Sequence, residues 1–137
     1  MIHHLSLGVS DIEVSVRFYD SCLGVLGYVR VWEDLGAKKI DQAVGFGRRG
    51  QDDVFALKPR PGKVCCPKPG FHVAFSAADQ VSVQQFHTVA ILNGGRDNGR
   101  PGLRPEYGSD YYAAFVIDPD GYHRSGRELP TSANSAW

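Results

Sequence analysis

The chain repeats itself. Laying residue n against residue n+68 sets His4 over His72, Leu7 over Phe75, Asp11 over Asp79, Phe18 over Phe86, Leu23 over Ile91 and Gly27 over Gly95. Identity across the repeat is low, but residue character and the order of expected elements are kept, which is the pattern of a duplicated unit. At 137 residues the chain suits one compact domain or two small cooperating modules, and is too short for two large independent ones.

In the first copy, His3 to Val9 alternates so that His4, Ser6 and Gly8 fall on one face and Leu5, Leu7 and Val9 on the other. That is the period of a half-buried strand whose leucine face lies on helices. Ser10-Asp11-Ile12-Glu13 reads as a capping box with Ser10 as N-cap, and Ile12, Val16, Tyr19, Leu23 and Leu26 follow at helical spacing until Gly24 and Gly27 end the helix. Tyr28 to Trp32, Ala43 to Gly47 and Val54 to Lys58 are expected as strands, which makes the unit βαβββ. Pro59 to Gly70, with four prolines and two glycines, sustains neither helix nor central strand and reads as a linker.

The second copy opens with a strand from Phe71 to Ser76 that places His72, Ala74 and Ser76 on one face. A helix begins at Asp79, presents Val83, Phe86 and Ala90, and stops at Asn93-Gly94-Gly95. Arg96 to Asn98 is a short strand, and Gly99 to Asp110 a loop of the kind that often binds ligands. Tyr111 to Arg124 is a β-hairpin around Asp118-Pro119-Asp120-Gly121, with Asp118 and Asp120 as turn formers. The expected fold is α+β, a single domain with module one at 1–58, linker 59–69, module two 70–129 and a tail 130–137.

Fifteen basic residues balance fifteen acidic ones, so nothing favours a polyanion, and no stretch approaches the ~20 apolar residues of a membrane span. A cytoplasmic protein without nucleic-acid or membrane partners is expected. Cys22, Cys65 and Cys66 lack zinc-knuckle spacing and read as reduced bystanders.

HLSLGVSD (4–11), FYDSCLGVLGY (18–28), GFHVAF (70–75) and YYAAFVIDPDGY (111–122) together resemble the glyoxalase, bleomycin-resistance and extradiol-dioxygenase superfamily, also called the vicinal oxygen chelate family. The resemblance spans nearly the whole chain. It implies paired βαβββ modules whose sheets curl into a cup, a homodimer, and a small-molecule ligand. It also implies a divalent metal (zinc, nickel, manganese or iron) held by histidines and glutamates from the first and last strands of the modules.

His4 and His72 match the first-strand positions. The last-strand glutamates are missing: one position falls at Ser125 and the other, 68 residues earlier, at Leu57. His123 and Glu128 are poor replacements, the first displaced by two residues and the second of the wrong strand parity without a bulge at Gly126. His4 and His72 are thus either a weak metal pair or polar residues left in a pocket. The pocket itself is expected to take Ser6, Ala74, Arg104, Tyr111, Phe115, His123 and Ser125, with Phe115 and Ala113 as an apolar wall. Arg100 and Arg104 are placed to grip an anionic ligand or to stand in solvent; Tyr107, Tyr111 and Tyr112 to line the mouth or cover the core. His3 reads as surface and His87 as packing. Two functions stay open: a metal-assisted lyase or dioxygenase of the family's kind, and a metal-free protein that sequesters a small, partly aromatic ligand as bleomycin-resistance proteins do.

Overall fold

A computed structural model describes residues 2–36, 41–65 and 69–128. Cys66 and the tail 130–137 lie outside the described residues. The elements are β1 (Leu5–Val9), α1 (Ile12–Gly24), β2 (Val29–Asp34), β3 (Ala43–Gly47) and β4 (Asp53–Pro59), then β5 (His72–Ala77), α2 (Gln80–Leu92), β6 (Arg96–Leu103), β7 (Tyr112–Ile117) and β8 (His123–Glu128). They form two four-stranded mixed sheets, ordered β1-β4-β3-β2 and β5-β8-β7-β6, neither closed. In each sheet the first pair is parallel and the other two antiparallel. The architecture is α+β, the same βαβββ unit twice.

Both helices are opened by an aspartate. Asp11 accepts the backbone N–H groups of Glu13 at 3.0 Å and Val14 at 3.1 Å, and Asp79 accepts that of Ser82 at 2.7 Å. A carboxylate at this position satisfies orphan donors and complements the positive end of the helix. The expected N-cap Ser10 is therefore displaced by one residue, because its hydroxyl is taken by Asp120 at 2.5 Å.

Val16, Tyr19, Cys22 and Leu23 of α1 and Val83, Phe86 and Ala90 of α2 bury their faces in one core shared by both sheets. Aromatic rings carry that core from one module to the other: Tyr19 lies 5.0 Å from Phe55, and Phe55 5.3 Å edge-on to Phe75. Each such ring contributes about 1.5–3 kcal/mol by burial.

Polar contacts close the seam. Asp118 holds its own turn, accepting the N–H groups of Asp120 at 3.0 Å and Tyr122 at 2.9 Å, and its second oxygen receives the Tyr19 hydroxyl and the Arg124 guanidinium, the latter at 3.3 Å. Arg124 Nε donates to Tyr19 Oη at 2.8 Å. All three side chains are buried; burial raises the Asp118 carboxyl, opposed by Arg124, and lifts the Tyr19 phenol well above its ordinary range. Asp120 accepts Ser10 N–H at 3.1 Å and Ser15 Oγ–H at 3.3 Å, while Tyr122 donates to the carbonyls of Gly8, at 2.8 Å, and Cys65. Asp118 and Asp120 are turn formers as expected, and they also clasp the modules together.

Two further expectations are corrected. β6 runs to Leu103 instead of stopping at Asn98, because an edge strand tolerates the register breaks at Asp97/Gly99 and Gly99/Gly102 that its glycines and proline impose. The loop to β7 is correspondingly shorter. Leu57 pairs with Leu7 and is fully buried in the core, so it faces away from the concave side; Ala56, paired with Ser6, holds the place Ser125 holds opposite Ala74. The offset in the last strands is thus 69 (125 − 56), since β6 is longer than β2 and breaks register twice against β7. His87, read as packing, is half-buried on α2 and bonds Asp97 at 2.8 Å, which holds that carboxyl below its usual range.

Candidate functional site: the concave face of the second sheet

Strand parity decides what β8 offers to each side. Arg124 points to the core, so His123, Ser125 and Arg127 face the opposite, concave side. His72 stands beside them on β5, paired in register with His123, and its Nε2 lies 2.9 Å from Ser125 Oγ. Burial lowers the His72 pKa, helped by the positive charge of Arg124 behind the sheet and by His123, so the neutral imidazole is favoured.

Phe115 is the wall. It sits opposite Ser125 on one side and opposite Gly99 on the other, with its ring 5.6 Å from that of His72. Gly99, at φ +146°, is required there: a Cβ would come within 3.0 Å of the Phe115 ring. A cleft of about 310 Å³ opens beside the ring, bounded by His72, Asn98, Arg104, Glu106 and Tyr107. Arg104 lies 5.5 Å from the Phe115 centroid and donates to the carbonyl of Arg100 at 2.5 Å. Asn98 Nδ2 is 3.3 Å from His123 Nδ1. Tyr111 packs on Tyr107 at 5.2 Å, and the Arg127 guanidinium stacks on Tyr111 at 4.4 Å.

Of the expected pocket residues, Arg104, Phe115 and His72 line this cleft, and Ser125 is bonded to His72. His123, Tyr111 and Ala74 border it on the same side. Ser6 does not join them; it lies on β1 in the other sheet. His4 precedes β1, is exposed, and has its Nδ1 3.0 Å from that of His3, whose Nε2 is 4.0 Å from Asp52. Glu128 has the parity of Arg124 and faces away from the cleft. Asn98, Glu106 and Arg127 were missed: the first two because the irregular path of β6 and its loop is not readable from periodicity, the third because arginine on a strand reads as solvated surface.

The first sheet has its own cleft, about 380 Å³, with Trp32, Asp34, Asp41, Lys58 and Arg60 around it. Trp32 lies across Gly45, its partner on β3, where a Cβ would fall 2.3 Å from the indole nitrogen. The arrangement mirrors Phe115 over Gly99: in one module the ring comes from the edge strand, in the other from its neighbour.

Among the described residues no three His, Cys, Asp or Glu side chains converge on a point that would hold an ion, and the donors at His72 are an imidazole and a hydroxyl. A divalent cation bound by histidine and carboxylate does not fit this set.

No protein-family model and no curated protein matches the sequence. Solved structures do. A glyoxalase/bleomycin resistance protein from Albidiferax ferrireducens T118 is 27% identical, with TM-score 0.68, over 93% of this chain and 97% of that one. A glyoxalase-related enzyme from Fulvimarina pelagi is 17% identical, with TM-score 0.67, over 99% and 95%. A glyoxalase I variant from Zea mays is 22% identical, with TM-score 0.70, over 91% of this chain and 45% of that longer one. The fold is that of glyoxalase/bleomycin-resistance/dioxygenase structures, the architecture of the vicinal oxygen chelate superfamily. Among the described residues no helix is long and apolar enough to cross a membrane.

Proposed function

We propose that this protein binds and sequesters a small, partly aromatic, oxygenated molecule on the concave face of the second sheet, without a resident metal. One observation supports this over metal-assisted lyase or dioxygenase chemistry: where the family has a glutamate, Ser125 bonds His72 at 2.9 Å. A neutral imidazole and a hydroxyl suit hydroxyl and carbonyl groups of a ligand, and Phe115 offers a ring to stack on. Metal-assisted chemistry on this scaffold uses a carboxylate where this chain has Ser125, and a bound cation is expected to be weak.

The same reading includes a homodimer, since β1 and β5 each leave one edge unpaired in the chain, and a twofold partner covers such edges. A cytoplasmic location is part of it too, in keeping with the free thiols of Cys22 and Cys65.

Ligand-observed NMR with a library of small aromatic alcohols, ketones and acids tests the proposal, on protein stripped of metal with a chelator and on Phe115→Ala. Retained binding after stripping, weakened about tenfold by Phe115→Ala, is expected from the loss of ring stacking. Binding that disappears on stripping and returns with zinc or manganese would instead establish the metal-assisted reading.

A further inference from the structure

The first sheet carries a cleft of about 380 Å³ that the second-sheet reading leaves unused. Register fixes what surrounds it. Trp32 pairs with Gly45 and Asp34 with Ala43, so all four stand on the face opposite the core residues Val44 and Phe46. Gly45 has Ala56 on its other side, which puts Lys58, two residues further along β4, on that face as well. Arg60 follows: its N–H donates to the carbonyl of Val9 at 2.7 Å, and its side chain lies over Gly8, where a Cβ would come 3.3 Å from Cγ.

The charges around this cleft are sorted by side. Asp34 stands on β2 and Asp41 just before β3, whereas Lys58 lies on β4 and Arg60 directly after it. Because β3 runs between β2 and β4, Asp34 and Lys58 are two strand spacings apart, roughly 9.6 Å at ~4.8 Å each. No ion pair among the described residues joins the two groups. On the acidic side lies the Trp32 indole, 40% exposed, seated on Gly45 and lining the cleft. An exposed indole beside carboxylates attracts an organic cation, tryptophan being the strongest of the aromatic side chains in this respect. Module two repeats the device with Phe115 over Gly99 beside its own cleft, so ring, glycine and cleft recur in both halves of the duplicated chain while the charges differ.

We propose that the first-sheet cleft is a second ligand site, for a small dipolar molecule whose organic ammonium lies on the Trp32 indole beside Asp41 and whose carboxylate reaches Lys58 and Arg60. The site stands independently of the second-sheet reading. A simple cation would gain the indole and the carboxylates but face two positive charges across the cleft; a simple anion would meet the reverse. Only a molecule carrying both charges at opposite ends is attracted at each rim, with the guanidinium and the ammonium giving charge-assisted hydrogen bonds to its acid group.

The test is a titration with 4-trimethylammoniobutanoate and, separately, with its two halves, tetramethylammonium and butanoate. NMR of the Trp32 indole Nε1–H, told apart from that of Trp137 by Trp137→Phe, locates binding, and calorimetry gives the affinities. The dipolar probe is expected to shift Trp32 saturably, to leave the Phe115 ring signals in place, and to bind at least ~10-fold more tightly than either half. Trp32→Ala should weaken it about tenfold. Lys58→Gln should weaken it about three- to fivefold while leaving tetramethylammonium bound no more weakly than before, and Asp41→Asn should weaken both. Unchanged unfolding midpoints in the three variants separate lost binding from lost fold. A silent Trp32, a dipolar probe that binds no better than its halves, or full affinity in Trp32→Ala would overturn the site. A shift at Phe115 without one at Trp32 would also overturn it, by placing the molecule in the other cleft.

Discussion

Arg124 and Asp118 face each other across 3.3 Å inside the core, neither more than 2% exposed. Both belong to the second module, yet the hydroxyl that completes the group is Tyr19 of the first. Removing one member of a buried pair leaves the other charged and unmatched, so Asp118→Ala is expected to cost about 3–5 kcal/mol. Pairing it with Arg124→Met should recover a large part of that loss. Urea unfolding of the single and double variants measures this; a loss in the double variant equal to the sum of the two single losses would show that the charges are not coupled.

Asp120 is the outer clasp, taking N–H and hydroxyl donors from Ser10 and Ser15 at the head of α1. Asp120→Ala should lower stability by about 1–2 kcal/mol. Hydrogen exchange should quicken in the first turn of α1 and leave the α2 amides unchanged. Faster exchange spread evenly over both helices would contradict a local clasp.

Ser125→Glu should raise affinity for zinc, manganese or nickel by at least ~10-fold, since even losing a group that merely orients a metal ligand costs about 10- to 100-fold. It adds an anionic oxygen next to His72, with His123 in register beside it. His72→Ala in that background should abolish the gain. Calorimetric titration of the native protein and both variants decides it: tight, stoichiometric binding by the native protein that survives His72→Ala would put the site elsewhere.

His72 carries a pH signature. Its pKa is lowered from 6.5 by burial and by the charge behind it, so the folded protein resists protonation that the unfolded chain accepts. Between the folded pKa and about 6.5 the unfolded state binds more protons, and stability rises with pH across that window and levels off above it. His72→Gln should flatten this part of the profile. Unfolding midpoints measured from about pH 5 to 8 check it, because a native profile with the opposite slope there would mean that the folded state favours the imidazolium.

Much of this architecture is readable from the chain. Asp79 opens the second helix where a start was expected, and the period-two alternation sets His72 and Ala74 on the face opposite Val73 and Phe75. What escaped was long-range or set by irregularity within strands. Nothing local distinguishes Ser10 from Asp11 as a cap; the decision is made by Asp120, 110 residues away. The counterpart of Ser125 slid from Leu57 to Ala56 because β6 is longer than β2 and irregular in register, and a shift of one residue exchanges core for cup. Arg124 and Arg127 differ by three positions and face opposite ways, which parity does indicate; but a buried arginine is believable only once Tyr19 and Asp118 are seen around it.

The crossed placement of ring and glycine, Trp32 over Gly45 and Phe115 over Gly99, also limits how such a chain can change. Moving the ring from one strand to its neighbour takes two substitutions, and the intermediates are either two facing glycines, with a hole in the surface, or two facing rings in the space of one. Ring and glycine in each pair are therefore sterically interdependent. The two halves of the duplicated chain lie on opposite sides of that barrier, and drift at single positions does not return one half to the form of the other.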